Sequence, residues 1–230
     1  MFQRNYSMSG SITDFMYKVY GWMAAGLALT AGTSYAIFQS PTLFRAIFGN
    51  QILFFGLIIA QFALVIALSG WVMRMSLPMA IAAFIGYSVL TGATLASIFY
   101  IYTATSIYLA FGVAAATFAV MALYGYFTQS DLTSIGSVGR MALFGMIIAM
   151  VINFFLKSAQ LDYIISLIGV GLFTLLAAYD SQKIKQMGYA LVGQGDVEHK
   201  AALIGALTMY LDFLNLFLFL LRILGSKRDE

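Results

Sequence analysis

The sequence predicts an all-α polytopic membrane protein with seven transmembrane helices, and three observations carry that expectation. Of the 230 residues 62% are hydrophobic and 9% charged, against about 45–50% and about 25% in soluble proteins. The 56 residues from Met75 to Ser130 contain no Asp, Glu, Lys, Arg or His, enough for two bilayer-spanning helices of roughly 20 residues and a turn. The apolar runs also break where turn-forming residues cluster, as successive spans require.

Reading the uncharged runs against a hydrocarbon layer of about 30 Å places spans at 19–38, 51–71, 78–101, 106–127, 140–156, 163–185 and 202–222. The first follows a polar stretch, and Tyr17, Tyr20 and Trp22 near its start suit the interfacial aromatic belt. Ser40-Pro41 ends it, and Gly49-Asn50 precedes the second, which closes on Trp71. Ser76-Leu77-Pro78 opens the third, Thr103 to Ser106 separates it from the fourth, and Gln129 to Gly139 precedes the fifth. Lys157 to Asp162 leads into the sixth, and Gly193-Gln194-Gly195 lies before the seventh. The chain thus divides into a polar segment 1–18, a membrane domain 19–225 and a tail 226–230, with Ser181 to Lys200 as a polar loop. The first 18 residues carry Asp14 and lack a basic start and a small-residue cleavage site, so the first helix is expected in the mature chain.

Seven spans put the termini on opposite sides. Arg4, Lys18, Arg74, Arg140, Lys183, Lys185 and Lys200 collect on the amino-terminal side, against Arg45, Lys157, Arg222, Lys227 and Arg228 on the other. That excess favours a cytoplasmic amino terminus, although six spans with a re-entrant segment would bring both ends to the cytoplasm. Gly92 with Ala96, Gly32 with Ala36, and Gly169 with Gly171 have the small-residue spacing that lets helix backbones approach, within one bundle or across a weak homodimer.

Zero cysteines exclude thiol catalysis, disulfides and cysteine-metal sites. The single His199 lies among polar residues with no serine or carboxylate assignable to it, and the net charge of +3 is spread over loops and gives no support to nucleic-acid binding. No enzymatic activity and no cofactor are expected.

Chemistry rests with Asp180 and Asp212. Asp180 ends the run from Tyr163 to Tyr179, and Asp212 splits the run from Ala201 to Leu221. A carboxylate in hydrocarbon costs several kcal/mol, so an intramembrane ionisable group reads as functional, with a partner to be named. Asp180 is expected one to two turns from its helix end and Asp212 about ten residues, roughly 15 Å, into the next helix. At about 4 Å and an effective dielectric near 20, two such charges repel by about 4 kcal/mol. The pair would then retain one proton toward neutral pH and titrate as a unit. Asp180 also reads as a solvated helix end, and Asp212 as a neutral structural acid bonded by Thr208, Tyr210 or Asn215. Arg74 closes the second span on the side of Asp180. It reads either as a second partner for that carboxylate, which would make a switch, or as a headgroup anchor, as do Arg222, Lys227 and Arg228. Asn153 and Lys157 read as cap or snorkelling residues of the fifth helix.

Four stretches carry a likeness: Val19-Tyr-Gly-Trp, Ser88-Val-Leu-Thr-Gly-Ala-Thr-Leu-Ala-Ser-Ile-Phe, Ala177-Ala-Tyr-Asp-Ser-Gln-Lys-Ile and Gly205-Ala-Leu-Thr-Met-Tyr-Leu-Asp-Phe-Leu-Asn-Leu-Phe. Together they resemble the Bax inhibitor motif family in its bacterial inner-membrane branch. The resemblance implies seven helices with the last one central and the other six wrapped around it. It also implies a pH-sensitive calcium leak gated by an aspartate pair matching Asp180 and Asp212, with Arg74 as the match for an arginine that meets the first aspartate.

The leading expectation is therefore a pH-sensitive cation leak, calcium being the permeant ion that contacts the carboxylates transiently. The alternatives are a proton-coupled small-solute transporter and a non-conducting regulator of another membrane complex, such as a protease or a cell-death factor. An intramembrane aspartyl protease is disfavoured, because Leu211-Asp-Phe stands where a glycine-flanked aspartate would be expected.

Overall fold

The computed structural model describes residues 2–228, with side chains from Ser11 to Arg228. The elements are α1 (Phe2–Gln39), α2 (Pro41–Phe48), α3 (Gln51–Trp71), a 3-10 turn (Val72–Arg74), α4 (Leu77–Leu95), α5 (Ile98–Ile101), α6 (Ala104–Phe127), α7 (Thr133–Leu156), α8 (Ala159–Leu191) and α9 (Asp196–Leu224). No strand forms among the described residues, apart from an isolated bridge between Tyr102 and Lys227. Among the described residues six helical stretches are long and apolar enough to cross a membrane: Gln51–Arg74, Leu77–Ile101, α6, α7, α8 and α9. The first expected span, 19–38, lies inside α1, the least apolar of the long helices, which also takes up the polar stretch before it. The side chain of Arg4 and the last two residues of the expected tail lie outside the described residues.

Helix starts follow local chemistry. Ser40 Oγ accepts from Leu43 N at 3.4 Å with Pro41 in the first turn, Asn50 Oδ1 accepts from Leu53 N at 3.2 Å, and Thr103 Oγ1 accepts from Ser106 N at 3.3 Å. Asn153 does cap α7: Lys157 takes a left-handed conformation, its N–H donates to Asn153 O at 2.7 Å, and Ser158 N donates to Asn153 Oδ1 at 3.0 Å.

Three expectations need correction. The fifth span starts at Thr133 and not at Arg140, because the Asp131 carboxylate accepts from both Thr133 N (2.9 Å) and Thr133 Oγ1 (2.5 Å) and starts the helix there. Those two hydrogen bonds, the hydroxyl first, hold the Asp131 carboxyl below its usual range. Second, Ser181 to Lys200 is no loop: α8 runs on to Leu191 and α9 opens at Asp196, so the connection shrinks to residues 192–195. Ser181 to Leu191 contains no proline and one glycine, Gly188, which stays helical, whereas Gly193 (φ 85°) and Gly195 (φ 56°) take left-handed turns that stop and restart the chain. His199 then falls in the first turn of α9, exposed. Third, the break between the first two spans holds the short helix α2, whose Phe44 and Phe48 stack at 4.4 Å.

The chain divides into two compact units. In one, residues 1–101 and 186–210, α1 packs on α4 and α4 on α3. Gly92 sits against the Thr30 backbone, where a Cβ would stand 2.6 Å from the carbonyl oxygen. Thr30 Oγ1 donates to Ser88 O at 2.9 Å and shares a 2.6 Å hydrogen bond with Tyr210 OH, whose ring meets Phe84 and Tyr87 edge-on. Lys18 Nζ pairs with Glu198 at 2.6 Å, and the other oxygen of Glu198 accepts from Gly193 N at 2.8 Å, which ties the α8–α9 turn to α1. The other unit, residues 102–185 and 211–230, holds α6, α7, most of α8 and the second half of α9. Phe213 of α9 meets Phe111 and Phe118 of α6, and Phe219 stacks on Phe173 of α8 across Gly169. Gly32 and Gly171, by contrast, have nothing within 4 Å of a Cβ position, so their small side chains do not mark helix contacts.

Among the described residues, α9 is the most buried of the six apolar stretches. In α9, 72% of the most apolar stretch is buried, against 6% in α3.

Candidate functional site

Asp180 and Asp212 lie in the same unit, on facing parts of α8 and α9, both buried at 9% and 6% exposure. Their carboxyl groups stand within hydrogen-bonding reach of one another. No amide, amine or hydroxyl donates to Asp212 Oδ2 among the described residues. Asp180 lies eleven residues before Leu191, the last residue of α8, about 16 Å along the helix. The expected position one to two turns from the end is therefore corrected to three, since α8 outruns its apolar part.

The hydrogen-bond partners proposed for Asp212 are engaged elsewhere. Thr208 Oγ1 donates to Ile204 O at 3.1 Å, Asn215 Nδ2 to Leu211 O at 2.8 Å, and Tyr210 OH pairs with Thr30. That leaves Asp180 as the group facing Asp212, and a buried polar atom left without a partner costs about 1–3 kcal/mol.

A set of polar contacts to α6 and the α6–α7 connection holds Asp180 in place. Gly125 of α6 brings the two backbones together, because a Cβ there would overlap the carbonyl of Ala178. Ser181 Oγ donates to Ala122 O at 2.7 Å. Gln182 accepts from Leu132 N at 3.0 Å and donates to Ser130 O at 2.8 Å. Lys185 Nζ donates to Tyr126 O at 2.8 Å and lies over that ring at 4.5 Å. Ala178, Ser181, Gln182 and Lys185 surround Asp180 in sequence and are held against α6 and the α6–α7 connection, while its own carboxyl meets Asp212 of α9.

Two cations of this unit, read from the sequence only for orientation, lie close to the pair. Lys183, one turn along α8, and Arg140 of α7 place positive charge toward Asp180. Arg140 NH1 also reaches Tyr179 OH at 3.4 Å, and Lys183 Nζ lies 5.7 Å from the Tyr179 ring. The spacing of Lys183, three residues past Asp180, was readable in advance; Arg140 depends on the register of α7 against α8, which no local pattern records. Arg74 closes the 3-10 turn after α3, exposed, within the other unit. Arg222 NH1 stands 3.6 Å from Asp162, an exposed pair that qualifies its reading as a headgroup anchor.

Long apolar helices with a carboxyl pair buried between two of them define a polytopic helical membrane protein with an intramembrane ionisable site. The family model described as "Inhibitor of apoptosis-promoting Bax1" matches residues 12–229. The chain belongs to this Bax inhibitor family. It is 46% identical over 218 residues to the inner membrane protein YbhL of Escherichia coli strain K12, covering 94% of this chain and 93% of that protein. An uncharacterized protein of Borreliella burgdorferi is 45% identical over 216 residues, with 94% and 93% covered. An uncharacterized membrane protein of Streptococcus pyogenes serotype M6 is 35% identical over 218 residues, with 94% of each covered.

Proposed function

We propose that the chain is a pH-sensitive cation leak of the bacterial inner membrane, with calcium as permeant ion, Asp180 and Asp212 as proton sensor and transient cation contact, and Arg74 as an alternative partner of Asp180. One observation carries this reading: the two buried carboxyls face each other on α8 and α9. Two full charges so close and out of water are costly, so a shared proton stabilises the pair, and a divalent cation replaces that proton in a second state. Two carboxylates offer far fewer oxygens than the six to eight of a tight calcium cage, which suits a site that must release its ion. The printed description of YbhL as an inner membrane protein supports the location.

Calcium flux into liposomes carrying the purified protein, measured across a pH series, tests the proposal. A flux that changes with pH supports it. Absence of flux at every pH would favour a non-conducting regulator, and flux that saturates with an organic solute would favour a transporter.

Arg74→Ala is expected to shift the flux midpoint along the pH axis, with Arg74→Lys restoring it in part because lysine lacks the planar two-pronged donor. Arg140→Ala is the competing measurement. A shift there and none at Arg74 would transfer the partner role to α7.

For orientation, the reading takes the amino terminus as cytoplasmic, which places Gln194 inside and Ser226 outside. Cysteines introduced singly at these exposed positions, in a chain with no native cysteine, report it through a membrane-impermeant thiol reagent added from outside. Labelling at Ser226 alone is the expected result; protection at both positions would mean two cytoplasmic ends.

A further inference from the structure

Outside the carboxyl pair, the feature that most calls for a ligand is a groove between α7 and α8. It encloses about 420 Å³ and is lined by Ile135, Val138, Gly139, Gly171, Leu172 and Leu176 among others, with the Ser134 hydroxyl at one end. The groove exists because a side chain is missing at Gly171, where nothing lies within 4 Å of a Cβ position, whereas at Gly139 the two helices close on each other, a Cβ there standing 2.7 Å from Leu176 Cδ2. Both walls belong to helices long and apolar enough to span a membrane, so the groove faces acyl chains and not water.

At the Ser134 end the chemistry changes. Helix side chains tilt toward the helix amino terminus, so Arg140 reaches back along α7 and meets Tyr179 OH at 3.4 Å. Lys183 comes to the same ring from α8 at 5.7 Å. Both cations are exposed. The nearby acids are already engaged: Asp131 with Thr133, and Asp180, buried, with Asp212. Two exposed cations therefore flank one amphipathic ring, Tyr179, which follows the lining residues Leu175 and Leu176 by one turn of α8. That arrangement matches a negatively charged headgroup with a chain attached.

We propose that the α7–α8 groove binds one anionic phospholipid, with an acyl chain lying past Gly139 and Gly171 and the headgroup phosphate held by Arg140 and Lys183. The groove supplies the chain contact and excludes a free phosphate as a sufficient ligand. The cations supply the preference over zwitterionic lipid, since each basic residue near a membrane surface contributes about 1 kcal/mol toward anionic lipid. The proposal concerns binding and is independent of ion conduction.

Native mass spectrometry of the full chain in detergent, with phosphatidylglycerol or phosphatidylethanolamine added, reads the site directly. The wild type is expected to retain phosphatidylglycerol in preference. Arg140→Gln and Lys183→Gln should each lower that preference by about fivefold. Gly171→Leu grows into open groove and should reduce the retention of lipid while the lipid-free melting temperature stays unchanged. Equal retention of the two lipids by the wild type would overturn the proposal. So would phosphatidylglycerol binding that survives Gly171→Leu and is displaced by inorganic phosphate, because the ligand would then sit on the cations alone. Should Gly171→Leu lower the melting temperature, the two glutamine variants, which alter only exposed side chains, still decide the outcome.

Discussion

Asp212→Asn is expected to flatten the pH profile of calcium flux while leaving a folded protein. Asparagine has nearly the shape of aspartate, and its amide can donate to the Asp180 carboxylate, so the contact between α8 and α9 survives. What disappears is the second titrating oxygen pair. Asp212 Oδ2 has no amide, amine or hydroxyl donor among the described residues, and the side chain is 6% exposed, so the proton that Asp212 shares with Asp180 is what the substitution removes from play. A gate governed by one proton changes by up to about tenfold per pH unit on the flank of its titration, and the variant should lose that response. Asp180→Asn gives the reciprocal test, since neither member of a coupled pair titrates alone. A variant that folds and keeps the wild-type profile would sink the sensor reading, whereas loss of all flux with the fold intact would still assign the pair to the conducting path.

The second large effect is structural and falls on Gly125. A Cβ at this position would overlap the carbonyl of Ala178, two residues before Asp180. Backbone cannot turn aside as a flexible side chain can, so α6 and α8 would have to separate, and with them the Ser181–Ala122 and Lys185–Tyr126 hydrogen bonds. Overpacking of this kind costs about 1–3 kcal/mol, with the strained hydrogen bonds adding about 1 kcal/mol each. Gly125→Val should accordingly lower the melting temperature in detergent or abolish folded yield, and Gly125→Ala should do so more mildly. Gly112→Ala is the matched control on the same helix, because nothing lies within 4 Å of its Cβ position and alanine favours helix over glycine by about 1 kcal/mol. Equal melting temperatures for Gly125→Ala and Gly112→Ala would remove the close approach as a determinant of the site.

Most of the membrane architecture was legible in the residues. Six of the seven expected spans coincide with long apolar helices and the first lies inside α1, because transfer to hydrocarbon depends on composition over about 20 residues and not on neighbours. Helix ends were less legible. The run from Ser181 to Leu191 is too polar to count as a span yet continues α8, since hydropathy reports where the bilayer ends and backbone hydrogen bonding reports where the helix does. For the same reason Arg140 was placed at a helix start when it lies seven residues past Thr133, inside α7.

The sequence by itself determined that this is a helical membrane protein carrying two carboxyls that need a partner, because an uncompensated charge in hydrocarbon is recognisable from a single residue in its run. Only the tertiary structure decided what surrounds them. Thr208, Tyr210 and Asn215 turned out to be engaged elsewhere, Asp180 to face Asp212, and Lys183 and Arg140 to supply the local positive charge. Those pairings depend on the axial register and rotation of one helix against the next. Contacts such as Gly125 on Ala178 set that register, and because they join residues far apart in the chain, no local pattern encodes them.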